Sequence, residues 1–370
     1  MNMPSITAKK LLPDDSLVLV TGVNGLIASH AADQLMAYGY KVRGTVRSAS
    51  KNAYLNNLYS NRHGPGRFEL VEVPDVTIKG AFDKALEGGV AAVGHVVGSV
   101  NLQVQDADKA AEEEILWQIN FLEACIKTTT VKSFVFTSSA WAAWTPWSQR
   151  AMTLDGNSWN MEAVKLARDT HADASEKGMA GFMAMKTLIE QGVWRWVQEK
   201  KGALPFTFNT LLLDTVIGTC LDPKNQGIPS TAGMVHWVWE NAHVDILNMM
   251  QPQWMVDCRD AGRLYVALLC TKPAVDKQRI YAFGDRYSFY QVGEMLKEMY
   301  PGHANKIARV ENYGSDHTVV DTTVGKELLS RLGQDGEWRK LKESLADNAK
   351  SWLQLEKPGV TDHRHSTVPN

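Results

Sequence analysis

Apolar and polar positions follow two rhythms along the chain, and the two alternate at regular intervals. Leu17-Val18-Leu19-Val20 is an apolar run too short for a buried helix; two glycines follow, then apolar residues at helical spacing from Ile27 to Tyr38. Strand, tight turn and helix are predicted there. Lys41 to Val46, Phe68 to Val73, Val93 to Val97, Lys132 to Thr137 and Phe206 to Leu213 predict five further strands. Ala110 to Ile126 and Met185 to Trp196 are helical by the same spacing. Strands alternating with helices over this length predict an α/β fold with a Rossmann-type, doubly wound parallel sheet.

Beyond Ile217 the alternation becomes irregular. Helical spacing recurs at Gly233 to Met250, Tyr290 to Met299, Thr322 to Leu332 and Glu337 to Leu355, with a short strand at Arg279 to Phe283. This predicts a smaller, mostly helical C-terminal lobe covering the strand C-termini, where ligands bind in open α/β sheets. The expected division is a nucleotide-binding domain over 11–218, with further pieces within 256–285, a substrate lobe over 219–356 and a flexible polar tail at 357–370.

The turn after the first strand carries the first chemistry. Gly22 can make the sharp turn, Gly25 lets backbone approach a ligand without a Cβ, and Ala28 lets the helix pack close to the strand. With Asn24, Leu26 and Ile27 opening the helix, its free N–H groups and positive dipole end form a site for a pyrophosphate. The second strand ends at Arg47, followed by Ser48, Ser50 and Lys51, where sheets of this type that bind NAD carry an acidic residue. Cations and hydroxyls there suit a ribose 2′-phosphate, so NADP(H) is expected over NAD(H). After the third strand, Asp75 beside Val76 is placed to accept a hydrogen bond from adenine. His95, inside the fourth strand, reads as a satisfied core histidine.

Composition narrows the partners. Thirty-nine Lys and Arg against 41 Asp and Glu give a net charge of −2, spread along the chain, which leaves no basic stripe for nucleic acid and no polybasic membrane patch. No apolar run approaches the roughly 20 residues of a membrane span. Residues 1–15 lack a signal-peptide core. Cys125, Cys220, Cys258 and Cys270 are far apart with no metal-ligand spacing, which predicts free thiols, no metal and a cytoplasmic location.

A hydride-transferring site needs a hydroxyl to hold a carbonyl, an acid to protonate its oxygen, and a cation to hold the ribose and tune that acid. Ser139, ending the fifth strand, suits the first task, and Lys186, on the next long helix, the last. Trp141, Trp144 and Trp147 follow Ser139 directly, Met183 and Met185 flank the lysine, and Trp237, Trp239 and Trp254 lie in the covering lobe. Aromatic residues in a loop facing the ligand predict a large, flat, apolar or aromatic substrate, with Trp141, Trp144, Met183, Asp214 and Trp237 lining its pocket.

Four stretches together resemble the extended short-chain dehydrogenase/reductases. They are Val20 to His30, Val42 to Ser48, Phe134 to Ser139, and the spacing from there to Lys186. Within that superfamily the chain is most similar to fungal NADPH-dependent aldehyde and ketone reductases related to dihydroflavonol reductase, from about Leu11 to Leu355. The resemblance implies a Rossmann domain, NADP(H), and a serine–tyrosine–lysine catalytic set. By position these are Ser139, a tyrosine four residues before the lysine, and Lys186, which also holds the nicotinamide ribose.

Phe182 occupies the tyrosine position, so the ring is kept and the proton it would donate is missing. Removing a general acid typically costs ~10²–10⁴ in rate. Leu213 and Asp214 stand where relatives carry a proline and a polar residue beside the nicotinamide, and Val97 and Gly98 where an alanine and a serine are usual. Five departures together read as natural divergence. Three functions compete: an atypical NADPH-dependent carbonyl or imine reductase with the proton from Ser139, Asp214, His236 or water; a repurposed non-redox cyclase, pericyclase, isomerase or dehydratase on a polycyclic metabolite; and a dinucleotide-sensing protein without catalysis.

Overall fold

The structure, a computed structural model, describes residues 6–173, 177–200, 202–333 and 336–356, and the polar tail expected at 357–370 lies outside them. Seven parallel strands form the main sheet: β1 (Leu17–Val20), β2 (Lys41–Val46), β3 (Phe68–Glu72), β4 (Val90–His95), β5 (Ser133–Ser139), β7 (Thr207–Leu213) and β10 (Arg279–Ala282). The short β6 (Thr153–Leu154) falls between the fifth and sixth of these. Their order is β10-β7-β5-β4-β1-β2-β3. The chain runs outward from β1 through β2 and β3, then crosses back to place β4 on the other side of β1. That reversal opens a crevice at the C-terminal ends of β1 and β4, the place where doubly wound sheets bind ligands. The expected α/β architecture is therefore the observed one.

Both faces of the sheet are covered, which is why its strands read as near-continuous apolar runs. Val18, Leu19 and Val20 are fully buried. Helix Leu26–Ala37 and helix Cys258–Cys270 pack on one face, and the latter is buried almost all round, its Asp260 included. Their approach is close, since a Cβ on Gly262 would fall 2.7 Å from the His30 carbonyl oxygen. Helices Ala107–Lys127 and Ala180–Glu199 cover the other face and extend beyond the spans their spacing predicted, the first because Asp106 caps it by accepting from Lys109 N.

The C-terminal lobe differs from the expectation in two ways. The single helix expected from Gly233 to Met250 is two, Ser230–Glu240 and Val244–Met249, because Asn241 and His243 adopt the left-handed conformation and break it. The lobe also contains a three-stranded sheet of β8 (Thr215–Ile217), β9 (Gln253–Asp257) and β11 (Asp285–Tyr287), with β9 parallel to β8 and antiparallel to β11. Such three- to five-residue strands carry too little pattern to be legible. Strand β12 (Val319–Val320) pairs with β6 and ties the lobe to the loop after β5. Among the described residues no helix is long and apolar enough to cross a membrane, no cluster of His, Cys, Asp and Glu could hold a metal ion, and all four cysteines are free and buried.

Candidate active site at the sheet crevice

The glycine turn joins β1 to helix Leu26–Ala37. Gly22 has φ +68°, and a Cβ there would meet Val97 Cγ2 at 2.8 Å, so both conformation and space require glycine. Gly25 is the N-cap of the helix and brings no side chain to its first turn, which leaves the N–H groups of Leu26 and Ile27 available to an anion. Asn24 is exposed beside it, its carbonyl accepting from Gln226 Nε2 at 3.1 Å.

Beyond β2, Arg47 is exposed and pairs with no described residue, and Lys51 is exposed four residues on. The Ser48 and Ser50 hydroxyls lie 3.1 Å apart between them. An uncapped helix start with unpaired cations at the next strand end fits a dinucleotide carrying an additional phosphate. Asp75 is exposed, with Oδ1 accepting from Thr77 N at 2.9 Å and Thr77 Oγ1 at 2.6 Å; these bonds lower its pKa. Val76 beside it is half-buried.

Thr21 fixes the floor of the crevice. Its hydroxyl accepts from Val96 N at 2.9 Å and Val97 N at 3.2 Å, tying the turn after β1 to the segment after β4. With both lone pairs taken, the hydroxyl proton goes to His95 Nδ1 at 2.9 Å. That fixes the tautomer: His95 Nε2–H donates to Gln118 Oε1 at 2.6 Å, and Gln118 Nε2 donates to Glu114 Oε1 at 3.3 Å. His95 is the satisfied core histidine its strand predicted, held neutral by burial with its pKa lowered to about 4. Glu114, only 5% exposed, also accepts from Ser99 N at 3.0 Å.

Lys186 reaches the other end of this segment. Its Nζ donates to the Ser99 carbonyl at 2.5 Å and stands 5.4 Å from the centroid of the Phe182 ring. Burial lowers the Lys186 pKa, and the Glu114 carboxylate opposes that shift. Phe182 is buried and meets Trp141 edge to face, with centroids 5.9 Å apart and planes at 83°. Ser139 is half-buried at the end of β5, in register with Leu213 of β7, its Oγ accepting from Trp141 N at 3.2 Å.

The remaining aromatic positions are mostly packed. Trp141 donates from Nε1 to Gln253 Oε1 at 2.9 Å, and Gln253 donates to Tyr287 OH at 3.2 Å. Trp144 is 2% exposed and its indole N–H has no partner among the described residues, whereas Trp147 in the same loop is exposed. Met183 is buried and receives the Thr145 hydroxyl at its sulfur. Asp214, directly after β7, is half-buried; desolvation raises its pKa well above the carboxylate range although Oδ2 accepts from Trp254 N at 3.0 Å. Trp237 is half-buried against His243, and His236 packs on Trp352 with ring centroids 5.1 Å apart.

Two residues that sequence reasoning passed over hold this region together. Glu190, one turn beyond Lys186, is fully buried and forms a paired-oxygen ion bridge with Arg279 of β10 at 2.9 and 3.0 Å. It also receives Ser138 Oγ, Thr210 Oγ1 and Trp194 Nε1. Arg279 in turn donates to the Gly156 and Ser158 carbonyls and lies 3.7 Å from the Trp159 ring centroid, anchoring the loop after β5. Glu114 is the second; its only sequence signal is a carboxylate on the inward face of an amphipathic helix.

Known proteins are similar to this chain in sequence and fold. Aldehyde reductase 2 of Sporidiobolus salmonicolor is 35% identical over 91% of this chain and 96% of its own. Ketoreductase adrE of Penicillium rubens is 31% identical over 90% and 96%. The crystal structure of Gre2 from Candida albicans in complex with NADPH superposes with a TM-score of 0.75 at 23% identity, over 92% of this chain and all of that one. The NAD dependent epimerase/dehydratase family matches residues 18–210. The chain therefore belongs to that family, the extended short-chain dehydrogenase/reductases, among relatives named as fungal aldehyde and ketone reductases.

Proposed function

We propose that the protein binds NADP(H) in the crevice and is an atypical carbonyl or imine reductase acting on a bulky apolar or aromatic metabolite, in cytoplasmic secondary metabolism. One observation carries the reading: residues 96–99 are held by Thr21 of the glycine turn at one end and by Lys186 at the other. The cradle for an anionic cofactor and the family's lysine are thus parts of one hydrogen-bonded assembly. The domain division rests on the same frame, with 11–218 and the returning strand within 256–285 binding cofactor and 219–356 shaping the substrate site.

Gly22, Gly25 and the N–H groups of Leu26 and Ile27, beside Asn24, would hold the pyrophosphate, and Arg47 and Lys51 the 2′-phosphate. Asp75 and Val76 flank the adenine end; Val97, Leu213 and Lys186 flank the nicotinamide end. Bound NADPH supplies a hydride for reduction of a carbonyl or imine carbon. Ser139 holds the substrate heteroatom, and Trp141, Trp144, Met183, Asp214 and Trp237 shape the surrounding wall. Phe182, at the tyrosine position, keeps the ring and lacks the proton.

Calorimetric titration with NADP⁺ and NADPH, followed by turnover across aromatic aldehydes, ketones and cyclic imines, tests the reading. Binding with NADPH oxidation supports it; absence of binding overturns it. A second reading, non-redox cyclisation or isomerisation with NADP(H) as a bound aid, is favoured by Phe182 packed against Trp141 with no hydroxyl to offer. Conversion of substrate at constant nicotinamide absorbance selects it.

A further inference from the structure

We infer that Lys186 itself is the proton donor of this site, and that Glu114, facing it across the missing side chain of Gly98, is the positioning residue that keeps it charged. This rests on the reductase reading and adds the source of the proton that Phe182 lacks.

The geometry is specific. A methyl group on Gly98 would lie 3.1 Å from Glu114 Oε1 and 3.5 Å from Lys186 Nζ, so one absent side chain separates carboxylate from ammonium. Both groups are also fixed to the next residue, Ser99, whose N–H binds Glu114 and whose carbonyl binds Lys186. The ammonium has three N–H groups, and Ser99 engages one.

The groups around Lys186 leave Glu114 as its charge partner. On its own helix, Phe182 offers only a ring face and Glu190 is neutralised by Arg279. Strand β5 contributes the hydroxyls of Ser138 and Ser139, the first already donating to Glu190. Glu114 is held in place by Gln118, which is fixed in turn by His95 and Thr21, so the chain of bonds that begins at the glycine turn ends on the carboxylate. Desolvation alone makes the Lys186 proton easier to lose, and Glu114 keeps it bound until it is needed.

Bound NADPH would supply the hydride for the new C–H bond, with the carbonyl carbon reduced and the nicotinamide oxidised. One Lys186 N–H bond breaks as the O–H bond forms, giving an alcohol and a neutral amine. The amine then regains a proton from water.

The test uses the full-length protein and four substitutions, with NADPH affinity measured for each. Lys186→Arg keeps a cation and hydrogen-bond donors but cannot release a proton at neutral pH. It is expected to hold NADPH within several-fold of wild type while turnover falls by roughly 10²-fold or more. Lys186→Met is expected to fall at least as far. Glu114→Gln removes the charge and keeps the shape, and Gly98→Ala fills the gap without changing charge. Trace acetylation of Lys186, followed across pH by mass spectrometry, reads its protonation without any turnover. Both substitutions are expected to move that midpoint, and the alkaline limb of the rate profile, to lower pH, because the ammonium loses its compensating charge or its solvation.

Turnover that survives Lys186→Arg overturns this inference and leaves the reductase reading standing. A midpoint unmoved in both Glu114→Gln and Gly98→Ala overturns the role of Glu114. A wild-type protein that binds NADPH and reduces no carbonyl or imine overturns the reductase reading, and this inference with it.

Discussion

The Phe182 ring meets the Trp141 indole edge to face, with centroids 5.9 Å apart, and Trp141 is anchored from behind by Gln253. Aromatic pairs of this geometry contribute about 0.5–1.5 kcal/mol beyond their buried area. The pair links the helix that carries Lys186 to the loop after β5, so the ring is held whether or not it carries a hydroxyl.

Phe182→Tyr is therefore expected to keep the ring position and to add a phenol beside Lys186. Carbonyl reduction should rise, by up to about 10²-fold if the phenol takes over as general acid. If the new hydroxyl finds no partner, stability should fall by about 1–3 kcal/mol. NADPH oxidation and thermal melting check the two outcomes, and unchanged turnover with cofactor bound would mean that the substrate side of the crevice has been rebuilt around phenylalanine.

Arg47 stands exposed just beyond β2 and pairs with no described residue. Arg47→Glu replaces a cation by an anion where the 2′-phosphate is expected. Loss of a charge-assisted bond of about 1.5–3 kcal/mol corresponds to roughly 10- to 100-fold weaker NADPH binding, with NADH affinity held or raised. Comparative titration with the two nucleotides decides it; equal losses for both would place the phosphate elsewhere.

Gly22→Ala puts a methyl group 2.8 Å from Val97 Cγ2 in a residue whose φ is +68°. The left-handed conformation alone costs an L-residue about 1–2 kcal/mol. NADP(H) affinity should drop by at least about tenfold, because the turn that aims the helix N–H groups must move. Calorimetry and a melting curve together separate lost binding from lost folding.

The sheet was legible because its strands are buried on both faces and read as apolar runs between glycine and helix signals; β1, β2, β5 and β7 fall where the pattern placed them. Helix Cys258–Cys270 was hidden because its second half, Leu264 to Cys270, is an unbroken apolar run that reads equally as a short buried strand. The turn after β1 could be read as a phosphate cradle from Gly22 and Gly25 because glycine spacing is a local signal. Glu114 and Glu190 could not, since Ser99 and Arg279, which donate to them, lie far off along the chain and a lone helical carboxylate looks solvated until the fold buries it. The tryptophans after Ser139 show the limit of composition: Trp144 is core while Trp147, three residues on, faces solvent.

Removing one partner of the Glu190–Arg279 bridge should be among the most damaging single changes in the molecule. Both side chains are buried, and Glu190 also satisfies Ser138, Thr210 and Trp194. An uncompensated buried charge costs about 3–5 kcal/mol, so Glu190→Gln is expected to lower stability by that order and to loosen residues 153–160, which Arg279 holds. Denaturant unfolding and proteolysis of that loop check both; a loss under about 1 kcal/mol would mean that water replaces the bridge.

His95 should make folding acid-sensitive in a defined window. Burial lowers its pKa from the ordinary 6.5 to about 4, against the opposing effect of the Gln118 hydrogen bond. Between those two values the unfolded chain binds the proton and the folded chain does not, so stability rises with pH across the window. The contribution is complete above about pH 6.5 and is lost as pH falls towards 4, a swing of about 3 kcal/mol. Thr21 donates to Nδ1 and Gln118 accepts from Nε2, so protonation at Nδ1 would set two donors against each other and loosen the turn after β1. Unfolding followed at several pH values should show this slope in the wild type and a smaller one in His95→Gln, while NADP(H) affinity weakens over the same range. Equal slopes in the two proteins would show that another group controls acid stability.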